Sequence, residues 1–247
     1  MGRRAEGRLV SVSIVMPAHN EEHYLEPAVR DLVPGLRAGG HDFEFVVIEN
    51  GSTDATIAVA ERLAQEFDEL RLHTLPRADY GLALRTGLLA ATGDIVVNFD
   101  VDYYDLGFLE QALELMRTDA DPAIVVGSKR AEGTQDNRSR SRRLVTWGFS
   151  TLLRVGFRVR VSDTHGMKAL VRDRAEVVAR ACRFDADLFD TELVIRAERL
   201  GLGVAELPVT VAERRPSRTS IVGRVVRSIW GLARLRLTLW REGSRHT

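Results

Sequence analysis

At 247 residues, with 45% hydrophobic and 28% charged positions, the chain can bury a sizeable core as one large domain or two small ones, so an ordinary globular protein is expected. A single cysteine, Cys182, excludes a disulfide framework and a cysteine-based zinc site. The formal net charge of zero hides an asymmetry, since Glu213 to the C-terminus carries nine arginines against two glutamates, a basic tail on an acidic body.

The opening basic residues precede an apolar run that stops at Pro17 without a small-residue cleavage site, so it is not expected to act as a signal peptide. No stretch of about 18 uncharged apolar residues is available for a membrane-spanning helix. In chain order, "LVSVSIVMP" reads as a strand ended by Pro17 and "HYLEPAVRDLVPGL" as a helix. "FEFVVIEN" follows as the second strand, then "STDATIAVAERLAQEF" as a helix capped by Ser52 or Thr53. "LRLHTL" is a third short strand, "YGLALRTGLLAAT" a helix, "DIVVNFD" a fourth strand, "LGFLEQALELMRT" a helix and "AIVVGS" a fifth strand. Continuous Val/Ile runs mark strands covered on both faces by crossover helices, which defines a doubly wound α/β half.

Ligands in such sheets bind beyond the C-terminal strand ends. Those ends carry "PAHNEE", "ENGSTD", "RADYG", "FDVDYYD" and "GSKR", so acidic and asparagine side chains converge on one crevice. The turn after the first strand lacks the glycines of a dinucleotide or P-loop phosphate site, which argues against a nicotinamide or flavin enzyme and a P-loop nucleotidase. Asp100 and Asp102, at alternate positions of a strand end, project to one side and suit a divalent cation; the plain alternative is a pair of surface aspartates. Asp105, just before an apolar helical pattern, reads as its N-cap.

"SIVMPAHNEE", "VVIENGSTDAT", "LALRTGLLAATGDIVVNFDVD" and "FDTELVIRAERLGLGVAELPV" resemble, in order and spacing, the signatures of inverting glycosyltransferase family 2, and within it the dolichol-phosphate mannose and polyprenyl-phosphate sugar synthases. The resemblance runs from about Val10 to about Ser220. It implies a GT-A fold, a mostly parallel central sheet with helices on both faces, and a catalytic domain over residues 1–220 followed by a basic amphipathic helix and tail over 221–247. Pro17, Ala18, Asn20, Glu21, Glu49, Asp79 and Asp100 would then line the nucleotide, with Arg215 and Arg218 closing over its diphosphate. Asp100 and Asp102 match the family's Asp-x-Asp, implying Mg²⁺ or Mn²⁺ between carboxylates and diphosphate. Glu49 and Asn50 stand where the family has aspartates, and Asp79 and Tyr80 replace the first two residues of a Gly-Lys-Gly element; the base, guanine or uracil, stays open.

On the acceptor side the resemblance implies Ser128, Lys129, Arg130, Asp163 and Lys168, and Arg143 belongs to an arginine-dense loop whose guanidinium forks match phosphate. Thr164 joins Asp163 there, and His165 is as compatible with packing as with proton transfer. Asp190 and Glu192 fall where many inverting members place a general base. A hydroxyl acceptor needs such a base, whereas a phosphate acceptor is already an anion. "IVGRVVRSIWGLARLRLTLW" has the pattern of a helix lying on an anionic bilayer with Trp230 and Trp240 as anchors, the alternative being a helix packed on the domain or on another subunit. The expected activity is transfer of mannose or glucose from a GDP- or UDP-sugar to a polyprenyl phosphate at the cytoplasmic face of the plasma membrane. A hydroxyl acceptor, or a nucleotidyltransferase, is the alternative. Arginine clusters without interleaved aromatics argue against nucleic acid.

Overall fold

The computed structural model describes residues 10–118, 120–128, 148, 151–157, 159, 161, 164–209 and 221–243, without the side chains of 187, 221–229 and 243. Nine elements form the first half: β1 (Ser11–Ala18), α1 (Leu25–Ala38), β2 (Asp42–Asn50), α2 (Thr56–Glu66), β3 (Leu70–Leu75), α3 (Tyr80–Ala90), β4 (Ile95–Asn98), α4 (Leu106–Leu115) and β5 (Ile124–Ser128). The second half adds β6 (Lys168–Val171), α5 (Arg172–Ala181), α6 (Phe189–Arg199), β7 (Val204–Pro208) and the long C-terminal α7 (Ile221–Gly243).

The strands make one seven-stranded sheet in the order β3-β2-β1-β4-β6-β5-β7. All neighbours are parallel except β6, which runs antiparallel to both β4 and β5. Strand alternation explains the continuous apolar runs: Val12, Ile14 and Met16 of β1 join a core under α1, α2 and α4, whereas Val15 faces α3 on the other side. Gly87 lets α3 lie directly on β1, since a Cβ there would come within 2.3 Å of the Val15 side chain. A second core gathers Leu84, Val178, Leu193 and Val126, and α7 closes it with Leu232, Leu235 and Leu239.

Two local expectations are corrected. The second helix begins at Thr56 rather than at Ser52 or Thr53, because Ser52 Oγ accepts from the Asn20 amide and the Thr53 amide donates to Asn20 Oδ1. Asp54 takes over the capping contact, accepting from the Thr56 amide at 3.0 Å. The fourth strand ends at Asn98, so Asp100 and Asp102 do not sit on an extended strand. They belong to a tight turn in which Asp100 and Tyr103 exchange backbone hydrogen bonds of 3.0 and 3.1 Å. By contrast Asp105 caps α4 as expected, accepting from the Gly107 amide at 2.7 Å.

Candidate active site

The loops after β1 and β2 are latched together. Asn20, at φ +56, turns its Oδ1 to Thr53, the Glu21 amide donates to Thr56 Oγ1 at 2.7 Å, and Glu22 Oε2 accepts from the Ala55 amide. His19 Nδ1 lies 2.8 Å from the Asn50 carbonyl oxygen. Pro17 and Ala18 are buried at the end of β1, opposite Ile48 and Glu49. Glu49 is buried as well, and its Oε1 accepts from the Ser52 amide at 2.6 Å. The residues that the resemblance assigns to the nucleotide in these two loops therefore lie side by side, with Asn20 and Glu49 holding the loops' shape through their own hydrogen bonds.

Asp79 is tied into the backbone around it. Its Oδ1 caps α3 by accepting from the Leu82 amide at 3.0 Å and also accepts from the Ala186 amide at 2.8 Å, while its own amide donates to Asn50 Oδ1. Tyr80, which the sequence did not single out as a site residue, donates its hydroxyl to Asp100 Oδ1 at 2.7 Å. Burial, and then the charges of Asp100, Asp190 and Asp102, push the Tyr80 hydroxyl well above its ordinary range, so it stays protonated and donates. The hydrogen bond ties the start of α3 to the turn after β4 that carries Asp100.

The inverted strand β6 delivers the positive counterpart. Because it runs antiparallel, its first residue, Lys168, pairs with Asn98 at the last residue of β4. The fully buried Lys168 places Nζ 2.8 Å from Asp190 Oδ1 and 3.0 Å from the Gly166 carbonyl. Asn98, Lys168 and Asp190 line a small cavity, into whose wall Leu84 and Phe189 also pack; the buried Asn98 Nδ2 has no hydrogen-bond partner among the described residues.

Glu192 does not face this crevice group. Fully buried, it accepts from the Arg183 and Phe184 amides through Oε2 and from Arg196 Nε through Oε1 at 2.7 Å. Arg196 continues to Glu242 on α7, so Glu192, named as a candidate base, links α6 to α7 through Arg196. Burial and then the Glu192 charge push the Cys182 thiol far up, leaving it an inert core residue.

Ser128 is buried at the end of β5, and Thr164 Oγ1 lies 3.0 Å from Thr191 Oγ1 on α6. Lys129, Arg130, Arg143 with the rest of its arginine-dense loop, Asp163, Arg215 and Arg218 lie outside the described residues.

The donor chemistry fits a hard divalent cation. Asp100 and Asp102 offer carboxylate oxygens in the turn after β4, and among the described residues no group of three metal-ligating side chains exists. A Mg²⁺- or Mn²⁺-type ion that takes one or two carboxylates and completes its sphere with phosphate oxygens and water matches that pair. Acidic residues beyond the C-terminal ends of parallel strands, with a buried lysine on the neighbouring antiparallel strand, fit a nucleotide-sugar transferase of GT-A architecture.

The comparisons agree with that class. The model of "Glycosyl transferase family 2" matches residues 13–177. Glycosyltransferase AglD of Haloferax volcanii is 33% identical over 97% of this chain and 40% of AglD, so the chain spans well under half of that relative. A dolichyl-phosphate beta-glucosyltransferase of Drosophila melanogaster is 30% identical over 95% of this chain and 78% of the relative. Among solved structures, glucosyl-3-phosphoglycerate synthase from Mycobacterium tuberculosis in complex with Mn²⁺, UDP-glucose and phosphoglyceric acid superposes with a TM-score of 0.69 at 25% identity, covering 92% of this chain and 80% of that one. The chain belongs to glycosyl transferase family 2.

Proposed function

We propose that the protein transfers a single hexose, glucose or mannose, with inversion from a nucleotide diphosphate sugar to a polyprenyl phosphate of the dolichyl type. The observation that carries this reading is the state of the acidic pair on α6. Asp190 is held by the Lys168 ammonium and Glu192 is consumed by Arg196 and two backbone amides, so neither carboxylate is presented as a base. An acceptor phosphate needs none, being an anion at neutral pH. The names of the relatives, dolichyl-phosphate beta-glucosyltransferases, support the same acceptor class.

In this mechanism an acceptor phosphate oxygen attacks the anomeric carbon opposite the leaving group, the bond to the nucleotide diphosphate breaks, and the configuration inverts. Asp100 and Asp102 would hold a Mg²⁺ or Mn²⁺ ion, which when bound supplies Lewis-acid stabilisation to the leaving diphosphate. The latched loops after β1 and β2 bind the nucleoside, and Lys168 fixes Asp190 where it can receive sugar hydroxyls. Tyr80 remains a donor throughout.

We place the acceptor at a membrane surface. No helix among the described residues is long and apolar enough to cross a membrane. On α7, however, Trp230, Ala233, Leu237 and Trp240 are exposed on the face opposite the buried Leu232, Leu235 and Leu239, with Arg234 and Arg241 alongside. That outward stripe has the composition of a helix lying at the cytoplasmic face of an anionic bilayer.

The test is a transfer assay with UDP- and GDP-linked glucose and mannose, offered polyprenyl phosphate or sugar hydroxyl acceptors, with and without Mn²⁺. The expected product is a metal-dependent polyprenyl phosphosugar whose anomeric configuration is opposite to the donor's. Transfer confined to hydroxyl acceptors, abolished by Asp190→Asn, would overturn the reading.

A further inference from the structure

We infer that the tripeptide Asp79-Tyr80-Gly81 is a positioning brace that holds the metal-side aspartate, Asp100, in register with the loop that leads into Asp190, and that Tyr80 is the residue that orients Asp100. The inference rests on the reading of Asp100 and Asp102 as cation ligands.

Each of the three residues makes a different contact. The Tyr80 hydroxyl donates to Asp100 Oδ1 at 2.7 Å. A carboxylate turns easily about its last torsion. A short hydrogen bond to one oxygen fixes the plane of the group, and with it the direction in which the second oxygen points. A partner hydrogen-bonded to a metal-ligating carboxylate sets ligand geometry without touching the ion.

Asp79 makes the second contact. Its Oδ1 caps α3 through the Leu82 amide and simultaneously accepts from the Ala186 amide at 2.8 Å. Ala186 sits at φ +52, a left-handed conformation that a residue with a side chain seldom adopts, so a contact that holds it there has a specific effect on the chain. Ala186 opens a short 3-10 turn, Ala186–Leu188, that runs directly into α6, whose second residue is Asp190.

Gly81 closes the arrangement. A Cβ at this position would lie 2.3 Å from the Ala186 carbonyl oxygen and 2.5 Å from its amide nitrogen, so only glycine permits the α3 N-terminus to approach the turn this closely. Three consecutive residues thus connect the metal pair after β4 to the acceptor-side helix, two parts of the site that are 86 to 90 residues apart in sequence and share no covalent route shorter than that.

The test titrates Mn²⁺ into the full chain with UDP or GDP as probe, using calorimetry or thermal stabilisation, for wild type, Tyr80→Phe, Tyr80→Lys and Asp102→Ala. Tyr80→Phe is expected to raise the Mn²⁺ concentration needed for metal-dependent nucleotide binding about tenfold. Its melting temperature without ligand and its metal-free nucleotide affinity stay near wild type, which separates orientation of a ligand from a merely structural loss. Tyr80→Lys, which restores a donor of sufficient reach, recovers most of the loss. A Tyr80→Phe requirement within twofold of wild type, alongside an Asp102→Ala variant that has lost its Mn²⁺ response, overturns the brace and leaves the metal reading standing. An Asp102→Ala variant with an unchanged Mn²⁺ response overturns the metal reading and the brace with it.

Discussion

The Nζ of Lys168 lies 2.8 Å from Asp190 Oδ1, with both residues at least 96% buried and a second contact from Nζ to the Gly166 carbonyl. Removing one charge of such a pair strands the other without water. Lys168→Met is therefore expected to destabilise the fold by about 3–5 kcal/mol, read by urea denaturation. The double variant Lys168→Met, Asp190→Leu should recover most of that loss while remaining inactive; additive losses in the double variant would mean that the pair is not coupled.

Glu192 presents a clean contrast with Asp190. Its carboxylate serves the Arg183 and Phe184 amides and Arg196, so Glu192→Ala is expected to cost about 3 kcal/mol of stability. The pH dependence of turnover per folded molecule should be unchanged. Loss of the acidic limb of the pH–rate profile in a variant of normal stability would instead mark Glu192 as a base.

Acid should unfold the protein through its carboxylate pairs. Arg62 and then Arg30 hold the Glu26 carboxyl down at about 2, and Arg30 and Arg37 lower Glu66 and Glu69 in the same way. A carboxylate depressed in the folded state contributes stability that is complete above its ordinary value near 4.5 and is lost as pH falls through the folded value. Denaturation midpoints should thus hold from pH 7 to 5 and fall between about pH 4.5 and 2. Because these pairs are exposed, 0.5 M salt should flatten the change. Glu26→Gln should flatten it too, and a midpoint that drops already between pH 7 and 5 would contradict the assignment.

The two faces of α7 should separate experimentally. Leu235 is fully buried against the second core, and Leu235→Ala is expected to cost about 3 kcal/mol. Trp230 and Trp240 are 70% and 67% exposed, so Trp230→Ser with Trp240→Ser should leave the melting temperature almost unchanged. Sedimentation with vesicles containing anionic lipid should drop several-fold in that double variant. Undiminished sedimentation would refute the membrane contact.

How much was legible in the sequence differs between residues for identifiable reasons. The nine elements of the first half follow from periodicity, and Asp105 announced its helix because a cap acts on an amide two residues away. Ser52 and Thr53 misled because their polar groups pair with Asn20, 32 and 33 residues distant, rather than with their own helix. Tyr80 was passed over as a site residue because its partner, Asp100, is 20 residues away. Strand β6 has only four residues, all buried, which periodicity cannot separate from a loop or a helix turn.

The class of fold, the polar strand ends and the family were legible in the chain, since local periodicity and short motifs encode these within windows of about a dozen residues. Which partner each carboxylate meets was set by long-range packing instead. Asp100, Asp102, Asp190 and Glu192 are alike on paper, and their surroundings diverge because β6 runs backwards and sets Lys168 against Asp190, while the packing of α7 brings Glu242 to the Arg196 that holds Glu192. Charge is a property of a residue, but its use depends on which partner the fold leaves within about 3 Å.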